Sequence, residues 1–159
     1  DLHDMVESFG DLIHEAPRVG RDGTAWLRPL YAIPGTTRQF TGEVFSGSGN
    51  NSRSLNRFAD DNLTKMLGYE PYPGSLNLRV GEHDLGTSVN RWRGERDGEH
   101  RSYAIWDAWI HGAGRGHVIV PTTKPGWAHP ESLEVWAPIN LRDALSLRDG
   151  DVVLVDVDL

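Results

Sequence analysis

The sequence predicts one α+β domain built mainly of strands and curling toward a barrel. Three observations carry that expectation. The chain has 159 residues, enough to bury one sizeable core. It is punctuated by many short apolar or alternating stretches, bounded by Gly, Pro and Ser. Only two or three segments space their apolar residues as a helix would.

Taken in order, residues 2–13 set Leu2, Met5, Val6, Phe9, Leu12 and Ile13 at helical spacing and predict an N-terminal helix. Pro17, Gly20 and Gly23 then break the chain. "AWLRPLYAI" (25–33) and "QFTGEVFSG" (39–47) read as strands separated by a Pro34-Gly35 turn. "SGSGNNSRS" (46–54) reads as a loop. A helix is expected from Ser54, its cap, with Leu55, Phe58, Ala59, Leu63, Met66 and Leu67 as the inner stripe and Gly68 as its stop. A strand follows at 75–80, then a polar connection at 81–101. "SYAIWDAWI" (102–110) and "GHVIVP" (116–121) are strands around the tight turn "GAGRG". "SLEVWAP" (132–138) is a short strand, "NLRDALSL" (140–147) a helical turn capped by Asn140, and "DVVLVDV" (151–157) the last strand.

Composition narrows the function. Sixteen Lys and Arg against 23 Asp and Glu leave a formal charge of −7, so no basic field is present to offset phosphate repulsion from nucleic acid. No apolar run reaches membrane-spanning length and no leader pattern opens the sequence, so the expected address is cytoplasmic. With no cysteine, disulfides and thiolate metal sites are excluded. The expected partners are small molecules, without nucleic acid or membrane, for a monomer or small homo-oligomer.

The most informative stretch is "EPYPGSLNLRV" (70–80). Pro71 and Pro73 favour an extended approach, and Gly74 permits a turn. On a strand, Leu76 and Leu78 face one side while Ser75 and Asn77 project together from the other. That hydroxyl and amide either complete a turn and satisfy backbone groups, or hold something; on these residues alone the two readings stand even. Elsewhere, His111 and His117 flank "GAGRG" without metal-ligand spacing and read as surface or hairpin histidines. Trp106 and Trp109 read as core or rim, with Asp107 between them as a possible polar cleft group.

"GEVFSGSG", "LGYEPYPGSLNL" and "LEVWAPINLRDALSLRDGDVVLVDV", in that order and separation, resemble the archaeal-type CTP-dependent riboflavin kinase family from about Thr41 onward. The resemblance implies a six-stranded cradle-loop barrel, here over residues 39–159; the first forty residues lie outside the resemblance, and 1–38 are expected as a helical extension packed on the barrel. It also implies transfer of the γ-phosphoryl group of CTP to the 5′-hydroxyl of riboflavin, giving FMN and CDP, with Mg²⁺ as cofactor. Magnesium favours oxygen ligands and needs few from the protein. Ser75, in place of the family's Thr, and Asn77 are its implied ligands. Gly47, Ser48, Gly49, Asn50, Asn51 and Ser52 are implied at the nucleotide phosphates, where Asn50 and Asn51 replace the family's Glu and Gly. Ile139, Asn140, Leu141 and Arg142 are implied at the cytidine nucleotide, though Asn140 as a helix cap and Arg142 as a solvated charge are the plain alternatives. Glu134 is implied at the flavin and is the candidate acceptor of the hydroxyl proton. The family's flavin-contacting Thr has Gly126 or Trp127 at the aligned place, with Thr122 or Thr123 as substitutes; Trp127 either stacks on the isoalloxazine or fills its pocket. The alternatives are a CTP-dependent kinase of another small alcohol, sugar- or nucleoside-like, and a non-catalytic flavin- or nucleotide-binding module.

Overall fold

Six antiparallel strands close a ring, and a seventh is attached outside it. The computed structural model describes residues 18–19, 25–26, 37–123 and 129–159, with 18–19, 25–26 and 50–52 described in their backbone alone. The expected helix at 2–13, all of the expected 25–33 strand beyond Trp26, and Trp127 lie outside these residues.

Strands β1 (Arg18–Val19) and β2 (Ala25–Trp26) pair with each other. The main sheet comprises β3 (Thr37–Phe45), β4 (Leu76–Arg79), β5 (Asn90–Arg96), β6 (Glu99–Ile110), β7 (Gly114–Pro121), β8 (Ser132–Trp136) and β9 (Val152–Asp158). Around the ring the order is β6-β7-β8-β4-β3-β9, and Ala108–Ile110 of β6 pair with Val155–Val157 of β9 to shut it. The six-stranded barrel expected from the resemblance is therefore present. Alternation in each strand sends Leu76, Leu78, Val118, Leu133, Val135 and Val155 into the ring, all buried to 2 % exposure or less. Each such side chain contributes about 1.5–3 kcal/mol by leaving water.

A second core lies outside the ring. Helices α1 (Asn50–Phe58) and α2 (Asp61–Leu67) press Leu55, Phe58, Leu63 and Leu67 onto Trp92, Tyr103 and Trp136 of the sheet's outer face. A short α3 (Leu141–Leu145) precedes β9.

Three expectations need correction here. The single helix from Ser54 is two helices, the first beginning at Asn50 after Gly49. They part at Ala59 and Asp60 because Asp60 adopts extended backbone and caps α2: its carboxylate accepts from Leu63 N (2.8 Å) and also from Trp92 Nε1 (2.9 Å). Ala59 and Met66, assigned to the inner stripe, are exposed. Second, the 81–101 connection contains β5, whose buried positions are only Trp92 and Gly94. A Cβ at residue 94 would stand 2.8 Å from the Phe58 carbonyl oxygen, so glycine is what lets the end of α1 rest on this strand. Third, His117 is not a surface histidine but is 1 % exposed on β7.

Candidate active site

Strand β4 lies between β3 and β8, laddered on both edges. Its approach is fixed by Tyr72 N donating to Ala137 O (2.9 Å) and Gly74 N to Tyr72 O (2.7 Å). With Leu76 and Leu78 committed to the interior, Ser75 and Asn77 turn to the outer face, both half-buried. Register places Phe45, Asn77, Glu134 and Ile119 opposite one another across four neighbouring strands, hence on the same face. Ser75 Oγ donates to Glu134 Oε1 at 2.5 Å. One hydroxyl, one carboxamide and one carboxylate thus meet on the outer wall of the ring.

The end of β3 brings the glycine loop over this group. A cleft of about 820 Å³ is lined by Ser46–Gly49, Ser75, Asn77, Glu134 and Arg142. A Cβ at residue 47 would stand 2.5 Å from Asn77 Nδ2, so glycine is what lets the Asn77 amide keep its place under the loop. Gly49 takes a φ of 74° and serves as the α1 N-cap. Asn50, Asn51 and Ser52 form the first turn of α1 rather than a continued loop.

Of the cytidine-assigned residues, Arg142 reaches this cleft, its Nη2 donating to Asp149 Oδ1 (2.7 Å) and Phe45 O (3.1 Å). Asn140 caps α3, its Oδ1 accepting from Arg142 N and Asp143 N, while its Nδ2 donates to Tyr72 Oη (3.2 Å). Ile139, Asn140 and Leu141 line a smaller neighbouring cavity of about 280 Å³, shared with Tyr72 and Ser75. Ile139 is exposed there, whereas the Leu141 side chain is packed into the core. Thr123 is not at the cleft: its Oγ1 accepts from Ser102 N (2.8 Å).

The oxygen donors suit a hard divalent cation. Ser75 Oγ and the Asn77 carboxamide are neighbours on one face beside a carboxylate, with no sulfur or imidazole among them. Among the described residues no three His, Asp or Glu side chains form a metal-holding group. A cation here would therefore draw much of its coordination from the ligand it accompanies.

A family model described as a domain of unknown function, DUF120, and titled CTP-dep_RFKase, matches residues 44–157. The chain belongs to the CTP-dependent riboflavin kinase family. Relatives include the riboflavin kinase of Aeropyrum pernix, 40% identical over 125 residues that cover 72% of this chain and 91% of that protein. The riboflavin kinase of Archaeoglobus fulgidus is 36% identical over 136 residues, 77% of this chain and 56% of the relative. That of Pyrococcus abyssi is 33% identical over 129 residues, 73% of this chain and 57% of the relative. The chain thus spans nearly all of the first relative and little over half of the other two.

In this member of the CTP-dependent riboflavin kinase family, sequence reasoning passed over several groups. Trp106, Leu85, His83 and Asp84 line the far part of the cleft. The last three belong to the stretch read as a polar connection, where nothing in the sequence pointed inward. Asp107 is not a cleft group. Its Oδ1 lies 2.9 Å from His117 Nε2, and His117 Nδ1 lies 2.6 Å from Tyr69 Oη, which also contacts Trp136 O. This chain of contacts ties the end of α2 to β6, β7 and β8. Burial pushes the Tyr69 hydroxyl well above the ordinary tyrosine range. The hydrogen bond from His117 holds the Asp107 carboxyl below its usual value. A depressed carboxyl pKa stabilises the fold above the unfolded value and ceases to as pH falls through the folded one. Asp107→Asn should therefore unfold about 1–3 °C earlier at pH 7, the scale of a partly exposed pair. In thermal unfolding the gap to wild type should close as pH falls below the usual 3.8.

Proposed function

We propose that this protein transfers the γ-phosphoryl group of CTP to the 5′-hydroxyl of riboflavin, giving FMN and CDP. One observation carries the reading: the glycine loop, the Ser75–Asn77 pair, Glu134 and Arg142 line a single cleft, in a chain whose family model is titled for that activity. Phosphoryl transfer asks for positioning and charge stabilisation rather than covalent chemistry from the protein. The backbone N–H groups of the 46–49 loop approach the triphosphate where no side chain intervenes at Gly47. Arg142 offers a planar donor fork to the same anion.

Ser75 Oγ and Asn77 Oδ1 would hold Mg²⁺, which would neutralise charge on the phosphate oxygens. Glu134 orients the acceptor hydroxyl and takes its proton. The hydroxyl oxygen bonds to the γ-phosphorus as the bond to the bridging oxygen breaks, and CDP departs. The apolar end of the cleft, at Trp106, Leu85 and Ile119, suits a flat ring system. We assign the barrel domain to the chain from Thr37 to Leu159, since β3 joins the ladder two residues before the expected boundary at 39.

The test is direct. Purified protein with Mg²⁺ and CTP should convert riboflavin to FMN, seen by chromatography with flavin fluorescence, and ATP should substitute poorly. Absence of FMN with CTP refutes the reading. CTP-dependent stabilisation without FMN would then direct a screen of other alcohols.

A further inference from the structure

Asp149 lies outside the cleft, yet it joins two of the segments that line it. Its Oδ2 accepts from Ser46 Oγ (2.8 Å), at the start of the glycine loop, and its Oδ1 accepts from Arg142 Nη2 (2.7 Å). The turn that carries it is pinned to β3. Gly150 N donates to Val44 O and Val44 N to Asp151 O, both at 2.8 Å, and Arg148 N donates to Asp151 Oδ2 (2.8 Å). Gly150 has a φ of 93°, a backbone angle that side chains resist, so the turn is built to present Asp149 at this place.

The guanidinium is held along one side. Its hydrogen bonds to Asp149, Phe45 O and Ser46 Oγ all use Nη2, and its Nε and Nη1 bond to no described residue. With Nη2 anchored, the remaining N–H groups are left for an anion in the cleft. The Asp149 carboxyl is held below the ordinary range, first by the Arg142 hydrogen bond and then by that of Ser46.

We propose that Asp149 is a positioning residue that fixes the Arg142 fork and the Ser46 end of the glycine loop in mutual register for a nucleoside triphosphate tail. The inference rests on the kinase reading above. An exposed ion pair contributes little to folding, so its removal separates placement from stability. In Asp149→Asn, KM for CTP should rise about tenfold, the scale of losing a charge-assisted orienting bond, while KM for riboflavin stays at its wild-type value. Melting temperature should fall by less than about 3 °C. Asp149→Glu should recover part of the CTP affinity. Combined with Arg142→Lys, the Asp149→Asn loss should be less than additive, because both changes break one contact.

The outcomes are separable. A wild-type protein that neither binds nor consumes CTP overturns the kinase reading, and this inference with it. If wild type turns over and Asp149→Asn keeps its KM for CTP, or the double variant is additive, only the positioning role fails. A melting temperature lowered by more than about 5 °C makes Asp149 a structural residue and also overturns it.

Discussion

Asn77→Ala should lower CTP-dependent FMN formation on the order of 10³-fold, the scale of losing one preorganised partner of developing charge. The strand itself should survive. Asn77 is half-buried on the outer face, and the stabilising side chains of β4 are Leu76 and Leu78, at 2 % and 0 % exposure. Melting temperature should therefore stay close to wild type while raised Mg²⁺ only partly restores the rate. Steady-state kinetics across a Mg²⁺ series decides the matter. Unchanged kcat/KM at limiting Mg²⁺ would remove Asn77 from the metal site.

Gly47→Ala should be nearly as damaging for a different reason. Its new methyl would stand 2.5 Å from Asn77 Nδ2 and 3.0 Å from Asn77 Cγ, so the amide must swing away. That displacement is affordable to the fold, because the atom struck is the end of a side chain. It is not affordable to the chemistry, where an ångström of misplacement costs on the order of 10²-fold. Gly49→Ala is the control: a Cβ there meets nothing within 4 Å, although its φ of 74° imposes some backbone strain. Equal activity losses in the two variants would show that backbone freedom in the loop matters, and not the contact with Asn77.

The sequence made the centre of this arrangement legible because period-two alternation needs only a few residues to declare itself. Leu76 and Leu78 face inward, so Ser75 and Asn77 must face outward, and the structure keeps that geometry. The six-stranded barrel was legible through the resemblance, whereas the order of its strands comes from the structure. β5 was hidden for the opposite reason. Its two buried positions are Trp92 and Gly94, and its remaining residues are exposed and mostly charged, so no apolar alternation exists to read. Asp60 was hidden because its two partners, Leu63 N and Trp92 Nε1, lie on different elements, while the apolar stripe runs on through the break. Asp149, in "RDGD", reads as any solvated turn; its meaning comes from Ser46, 103 residues away in sequence. His117 beside glycines reads as a hairpin residue until Tyr69 and Asp107 are brought to its two nitrogens.

With both edges of β4 bonded into the cylinder, the backbone that carries Asn77 has no route to shift when a substrate arrives. Any accommodation must come from side chains and from the lining that stands outside the ladders, the 46–49 loop on one bank and the 83–86 segment on the other. The enzyme's anvil is therefore stationary, and recognition is left to what surrounds it.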